Sequence, residues 1–450
     1  MLIAYAQLPL QGVLHNKPTF TQSGIMVEQK IFKPPEWSKT TNIYEVNIRQ
    51  YSPEGTFNAF AKHLPRLKKM GVETLWMMPI TPISQKIIQG TLGSYYACSC
   101  YVKINQEFGT LDDFKSLVDK AHTLGMKVMI DWVANHTGWD HEWTLSNPEY
   151  FVKDDKGYFT QRDGWHDVID LDYTNTALRV AMAEAMAFWV RTCHIDGFRC
   201  DLAHLVPLDF WKKARQYLDK IKPLYWLAET DNPECHAVFD VSYAWEWMHE
   251  STKMIKEAKV VSVMDKVLYR YHDDYSQGAQ KLFFTTNHDE NSWNGTEYEK
   301  YNGAALPLAV FTLTWDGIPL IYSGQEIPNL RRLAFFEKDQ LNWKPTLQLE
   351  PFYRTLLGLR KSNPALKAGS KTGLTYRLNC SCEFVFAFLR REGARQVLVV
   401  LNLSPESIQL HLHDHRVHGV FQEVFEEKAY DFAQSRKLDL KAWGWLVMEQ

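Results

Sequence analysis

Basic excess, metal-site spacings and long apolar runs are all scarce in this 450-residue sequence, and each scarcity removes a class of function. With a formal net charge of −3 there is no electrostatic case for nucleic acid, whose partners carry a basic face. No uninterrupted run of about 18 apolar residues occurs, which argues against a membrane span. The seven cysteines are an odd number without an extracellular-style framework, so they read as reduced thiols in a cytoplasmic protein. The doublets Cys98/Cys100 and Cys380/Cys382 lie far apart and lack the spacing of about two to four residues within each pair that zinc sites use. The opening "MLIAYAQLPLQGVLHNK" lacks a basic leader and is broken early by "LPLQG", so it reads as part of the fold and not as a signal peptide. Glycine-rich phosphate loops, a GxSxG elbow and an HExxH helix are also missing. The lack of a tandem repeat argues against a solenoid as well.

Aromatic residues, by contrast, are plentiful. They make up 14% of the chain and include 16 tryptophans, enough for a large core and for flat platforms along a cleft that binds a hydroxyl-rich ligand. From about residue 42 to 360, short β-branched or aromatic runs alternate with helical patterns. The runs are "NIYEVNI", "VETLWMMPI", "KVMIDW", "HIDGFRCD", "LYWLAET", "AVFDVSY", "KLFFTTNHD" and "GIPLIYSG". Amphipathic stretches such as "LDDFKSLVDKAHTLG" (111–125), closed by Gly125 at a C-cap position, and "NTALRVAMAEAMAFWVRTC" (175–193) separate them. Eight strand–helix units predict a parallel (β/α)₈ barrel over 41–135 and 173–366. Residues 136–172 show no helical period and are too long for a passive connection, so they predict a small inserted domain after the third strand. From 367 to 450 the period switches to two, as in "CEFVFAFLRR" and "ARQVLVVLNLS", predicting a C-terminal antiparallel β-sandwich. Residues 1–40 read as an extension lying on the barrel.

Within the fourth run, Arg199 and Asp201 stand two positions apart and so share a strand face, while Phe198 and Cys200 take the packing face. Two charges on an inner face are costly unless they pair or do chemistry. Barrel enzymes place their chemistry at the C-terminal ends of strands. There this chain has Asp131, Asp201, Glu229 and Asp289, on the third, fourth, fifth and seventh runs, with Arg199, His136 and His288 among them. Carboxyls gathered at one mouth repel, so at least one should keep its proton near neutral pH, the condition glycoside hydrolysis exploits.

Taken together, "DWVANH" (131–136), "GFRCD" (197–201), the Glu229 of "LAET" and "TNHD" (286–289) resemble the four signature regions of the alpha-amylase family of glycoside hydrolases. "GIPLIYSGQE" (317–326) is similar to that family's eighth strand, and "VIDLD" (168–172) to the motif closing its inserted domain. The resemblance implies a retaining double displacement on α-glucosides: Asp201 as nucleophile, Glu229 as general acid and base, and Asp289 as stabiliser of the transition state. It further implies sugar contacts from Tyr96, His136 and His288, with Arg199 holding Asp201 ionised and oriented. The expected substrates are starch- or glycogen-derived α-glucans and maltooligosaccharides, mainly α-1,4-linked. An α-glucosidase or transglycosylase of the same family, or a catalytically inactive glycan-binding scaffold, are the alternatives; a scaffold should have lost one of the three carboxylates.

The chain also departs from the family. Cys100 of "YACSCY" stands where an aspartate is usual, and His204 and Leu205 stand where endo-acting members carry lysine and histidine. His204 is the candidate contact on that side. No metal or other cofactor is expected to be required, although Asn135 and Asp170 match one family calcium position. The sequence leaves the oligomeric state open.

Overall fold

In the computed structural model, residues 32–450 are described apart from 162–163, 276–277 and 345. Most of the expected N-terminal extension, residues 1–31, lies outside the described residues. Its described end forms a short 3₁₀ turn, Glu36–Thr40, whose Trp37 packs edge-on against Tyr225 at 5.4 Å.

All eight alternating runs are barrel strands: β1 (Ile43–Val46), β2 (Thr74–Met77), β3 (Lys127–Trp132), β6 (Gly197–Cys200), β7 (Tyr225–Ala228), β8 (Val241–Tyr243), β9 (Gln280–Phe283) and β10 (Ile318–Tyr322). They close in the order β1-β10-β9-β8-β7-β6-β3-β2, all pairs parallel. The numbering gap is filled by β4 (His136–Gly138) and β5 (Val168–Asp170), an antiparallel pair within the stretch that lacked a helical period. Nearly every strand residue is buried, because a parallel barrel fills its interior and is covered outside by helices. The helix Leu111–Thr123 opens with a Thr110/Asp113 capping box and is followed by Gly125 at φ +72°, a left-handed position that glycine takes without strain. The helix Thr176–Cys193 starts where the Asn175 side chain accepts the N–H groups of Ala177 and Leu178.

Beyond the barrel, β11 (Leu374–Leu378), β12 (Val385–Glu392), β13 (Arg395–Asn402), β15 (Val420–Glu423), β16 (Ala429–Asp431) and β18 (Trp445–Glu449) form one antiparallel sheet in the order β11-β12-β13-β18-β15-β16. A two-stranded sheet, β14 (Ile408–His411) with β17 (Lys437–Leu440), packs over it around Leu398, Val400, Leu410 and Leu438. The period of two in "EFVFAFL" explains how this unit joins the barrel. Val385, Ala387 and Leu389 face the sandwich's own core, while Phe386 and Phe388 face the other way, against Phe311 and Trp315 of the barrel. Among the described residues no helix is long and apolar enough to cross a membrane.

Candidate active site

At the C-terminal mouth of the barrel, strand geometry delivers one buried arginine to several carboxyls. Arg199, the third residue of β6, points inward and is fully buried. Its Nη1 donates to Asp131 Oδ1 at 2.9 Å and to Asp201 Oδ1 at 2.8 Å, and its Nε donates to Tyr243 at 3.1 Å. Its Nη2 lies 2.7 Å from Glu229 Oε1, without the alignment of a hydrogen bond. The guanidinium also sits over the rings of Trp76, Tyr243 and Tyr96, 5.0, 5.6 and 5.8 Å from their centroids. Phe198, one residue earlier on the strand, packs outward against Trp132 and Trp226.

A second cation completes the cluster. His288 lies between Glu45 Oε1, 2.5 Å from Nδ1, and Asp289 Oδ2, 3.2 Å from Nε2. Burial alone would lower its pKa, but the two carboxylates outweigh that and hold it well above the usual histidine range. As an imidazolium it donates from both nitrogens. The Tyr96 hydroxyl, 2.8 Å from Nε2, then accepts from His288 and donates to Asp131 Oδ2 at 3.0 Å. The Tyr96 ring stacks on the imidazole, 5.5 Å between centroids and 15° between planes.

The residue after Asp201 is tied to the second carboxyl. Leu202 adopts a left-handed backbone (φ +42°, ψ +44°), uncommon for a non-glycine residue, and its N–H donates to Glu229 Oε2 at 2.9 Å. Asp201 and Glu229 thus share one guanidinium at adjacent nitrogens and are linked again through this turn.

The family model for the alpha amylase catalytic domain matches residues 31–168 and 165–264, and that for the maltogenic amylase C-terminal domain matches 378–447. The chain belongs to the alpha-amylase family. Among solved structures it is similar to a noncanonic maltogenic alpha-amylase from Thermotoga neapolitana (31% identity, TM-score 0.84, 92% of this chain and 99% of that one). An alpha-amylase from Lactobacillus plantarum is similar at 29% identity and TM-score 0.82, over 92% of this chain and 99% of that one. Among curated relatives, the alpha-amylase MalA of Haloarcula japonica is 25% identical over 86% of this chain. This chain spans only 59% of the length of that relative.

In this alpha-amylase-family site, burial and shared charge set the carboxyls apart. Burial pushes Glu229 up to about 7 against the pull of Arg199, with the charges of Asp201 and Asp289 adding to the rise. Burial likewise raises Asp201 and Asp131 to about 6, although Arg199 pulls both down. For Asp289, burial is outweighed by the charge and hydrogen bond of His288, with Arg199 helping, so its pKa lies below the usual range. The expectation that Arg199 holds Asp201 ionised and oriented meets an opposing effect, because burial raises Asp201 while the guanidinium pulls it down. The guanidinium orients Asp201, but it is divided among three carboxyls and does not overcome their desolvation.

His136 is buried on β4, paired in register with Asp170. Its Nδ1 lies 3.1 Å from Asn135 Nδ2, and its ring lies beside Trp165 at 5.9 Å. His204 is exposed on the turn after Asp201, outside the carboxylate cluster. Cys100 is buried and its thiol is pushed up to about 11, so it brings no charge where the family has an aspartate. At the calcium position, Asp170 Oδ2 accepts from Thr160 at 3.1 Å. Among the described residues, no group of three or more His, Cys, Asp or Glu side chains has an arrangement that could hold a metal ion. Calcium takes about six to eight oxygens, and the side chains of Asn135 and Asp170 by themselves supply only part of such a set.

Sequence reasoning overlooked Glu45, Trp76 and Tyr243. Trp76 Nε1 donates to Asp131 Oδ2 at 3.1 Å, and Glu45 is fully buried. A glutamate inside the apolar run "NIYEVNI" was a usable signal.

The raised carboxyl pKa values have a consequence for stability. A carboxyl whose folded pKa exceeds its unfolded one favours the folded state when protonated, and that contribution is lost as pH rises through the folded value. For Glu229 the window runs from about pH 4.3 to about 7. Glu229→Gln should therefore melt close to wild type at about pH 5 and higher than wild type at about pH 8. Equal differences at both pH values in thermal melts would contradict the raised pKa.

Proposed function

We propose that this chain hydrolyses α-glucosidic bonds, mainly α-1,4, in starch- or glycogen-derived oligosaccharides by double displacement with retention. The single observation that carries the reading is the pairing of Asp201 and Glu229 on neighbouring nitrogens of Arg199. Retaining pairs stand about 5–5.5 Å apart, whereas inverting pairs need room for a water between them. Asp201, oriented by Arg199 Nη1, is the nucleophile. Glu229 is the acid that protonates the leaving oxygen and then, as a carboxylate, draws the proton from the incoming water. Asp289, held ionised by His288, stabilises the oxocarbenium-like charge and grips sugar hydroxyls. Tyr96, His136 and His288 are the sugar contacts in this reading.

A transglycosylase would use the same covalent intermediate with a sugar hydroxyl in place of water. An inactive scaffold is disfavoured because all three carboxylates persist and are held in one network. Seven unpaired cysteines, five of them buried, favour a cytoplasmic setting in which thiols stay reduced. The reading includes activity without calcium.

On maltoheptaose, Asp201→Asn should lower the rate by at least about 10³-fold while the protein still folds, and early product followed by NMR should be the α-anomer. Near-normal turnover would remove Asp201 from its role, and initial β-product would exclude retention. Incubation with a calcium chelator should leave the rate unchanged; abolition of activity restored by calcium would overturn the metal-independent reading.

A further inference from the structure

The connection after β2 carries a segment, residues 85–91, that touches both sides of the mouth. On one side, Gln85 N donates to Asp140 Oδ2 at 2.8 Å, and Gln89 Nε2 donates to the buried Asp167 at 2.7 Å. Both acceptors belong to the inserted stretch between β3 and β6, next to Trp165 and His136. On the other side, Thr91 N donates to Glu337 Oε1 at 2.9 Å and the Thr91 hydroxyl donates to Glu337 Oε2. Leu92 N donates to Phe336 O at 3.3 Å. Those partners follow β10, where Phe335 stacks on Tyr96 at 6.2 Å.

The attachment is tight. Gly90 has φ +65°, and a Cβ there would lie 2.5 Å from the Phe336 Cβ, so only glycine passes. Ile87, a β-branched residue, is held at φ +56° while half exposed, a conformation that persists only where both flanks are fixed. In the barrel order, a segment rising from β2 and fastened beyond β3 and β10 spans the rim over β3, β2, β1 and β10. Asp201, Glu229 and Asp289 follow β6, β7 and β9, on the other half. Among the described residues no such bridge joins the turn after β6, where His204 is exposed, to the loop after β9.

We propose that residues 85–91 are a strap that closes one end of the sugar-binding cleft, so that the enzyme takes chain ends and not internal stretches of an α-glucan. Internal cleavage needs the chain to leave the site in both directions, and here one exit is bridged by backbone and side-chain contacts. The inference rests on the hydrolase reading above and adds its mode of attack.

The test compares wild type with Gln89→Ala/Glu337→Ala, which removes the Gln89–Asp167 bond on one side and both Thr91–Glu337 bonds on the other and touches none of the residues assigned to chemistry or sugar contact. Long-chain amylose is digested while reducing ends and iodine colour are followed together, and 4-nitrophenyl α-maltoside measures the chemistry on a short substrate. Wild type should release reducing ends with little early loss of iodine colour. The double variant should lose colour about threefold or more faster per reducing end, at an unchanged rate on the aryl maltoside. Rapid colour loss per reducing end by wild type would overturn the strap, as would an unchanged ratio in the variant. No product from either substrate would instead overturn the hydrolase reading, and the strap's role with it.

Discussion

One buried guanidinium organises this protein. Arg199 reaches Asp131 on β3, Asp201 beyond β6, Glu229 beyond β7 and Tyr243 on β8, so four neighbouring strands are held in register at the mouth by a single side chain. An isolated charge in such a place would be costly, and removing one partner of a buried ionic cluster costs about 3–5 kcal/mol. Here the cost is offset by three carboxyls and three aromatic rings, and the result is a rigid array that exists before substrate arrives.

The charge balance at the mouth explains why its carboxyls behave differently from one another. Glu45, Asp131, Asp201, Glu229 and Asp289 face only Arg199 and His288, so five potential negative charges meet two positive ones. Full ionisation is unfavourable, and burial raises Glu45, Asp131, Asp201 and Glu229 above the usual carboxylate range in spite of the two cations. Glu229 touches Arg199 without a well-directed hydrogen bond and keeps its proton to the highest pH of the catalytic three; Asp289 has His288 beside it and gives its proton up first. A carboxyl that keeps its proton and one that gives it up early thus arise from similar side chains through position alone.

Much of this was legible in the sequence because the signals were local. Each barrel strand has an apolar body, the carboxylates sit at strand ends, and a spacing of two fixed Arg199 and Asp201 on one face. Phe198 and Cys200 likewise took the packing side as expected. What stayed hidden depends on contacts between residues far apart in the chain. Glu45 meets His288 across 243 positions, and Thr91 meets Glu337 across 246. The left-handed turn at Leu202 was invisible because leucine does not advertise such a backbone. The balance at Asp201 was hidden because spacing reveals the cation beside it, whereas the fold buries Asp201 and sets Asp131 next to it, and both raise its pKa.

The claim at the centre of this account is that Asp201, oriented by Arg199, forms a covalent bond to the sugar. A fluorinated α-glucosyl fluoride, which accumulates a glycosyl-enzyme by slowing its breakdown, tests it most directly when followed by peptide mass spectrometry. The account predicts one added sugar per chain, on the peptide carrying "GFRCD" and at Asp201 itself. A label on Glu229, on Asp289 or on any other residue would contradict it, as would full turnover of the reagent through a product of inverted configuration.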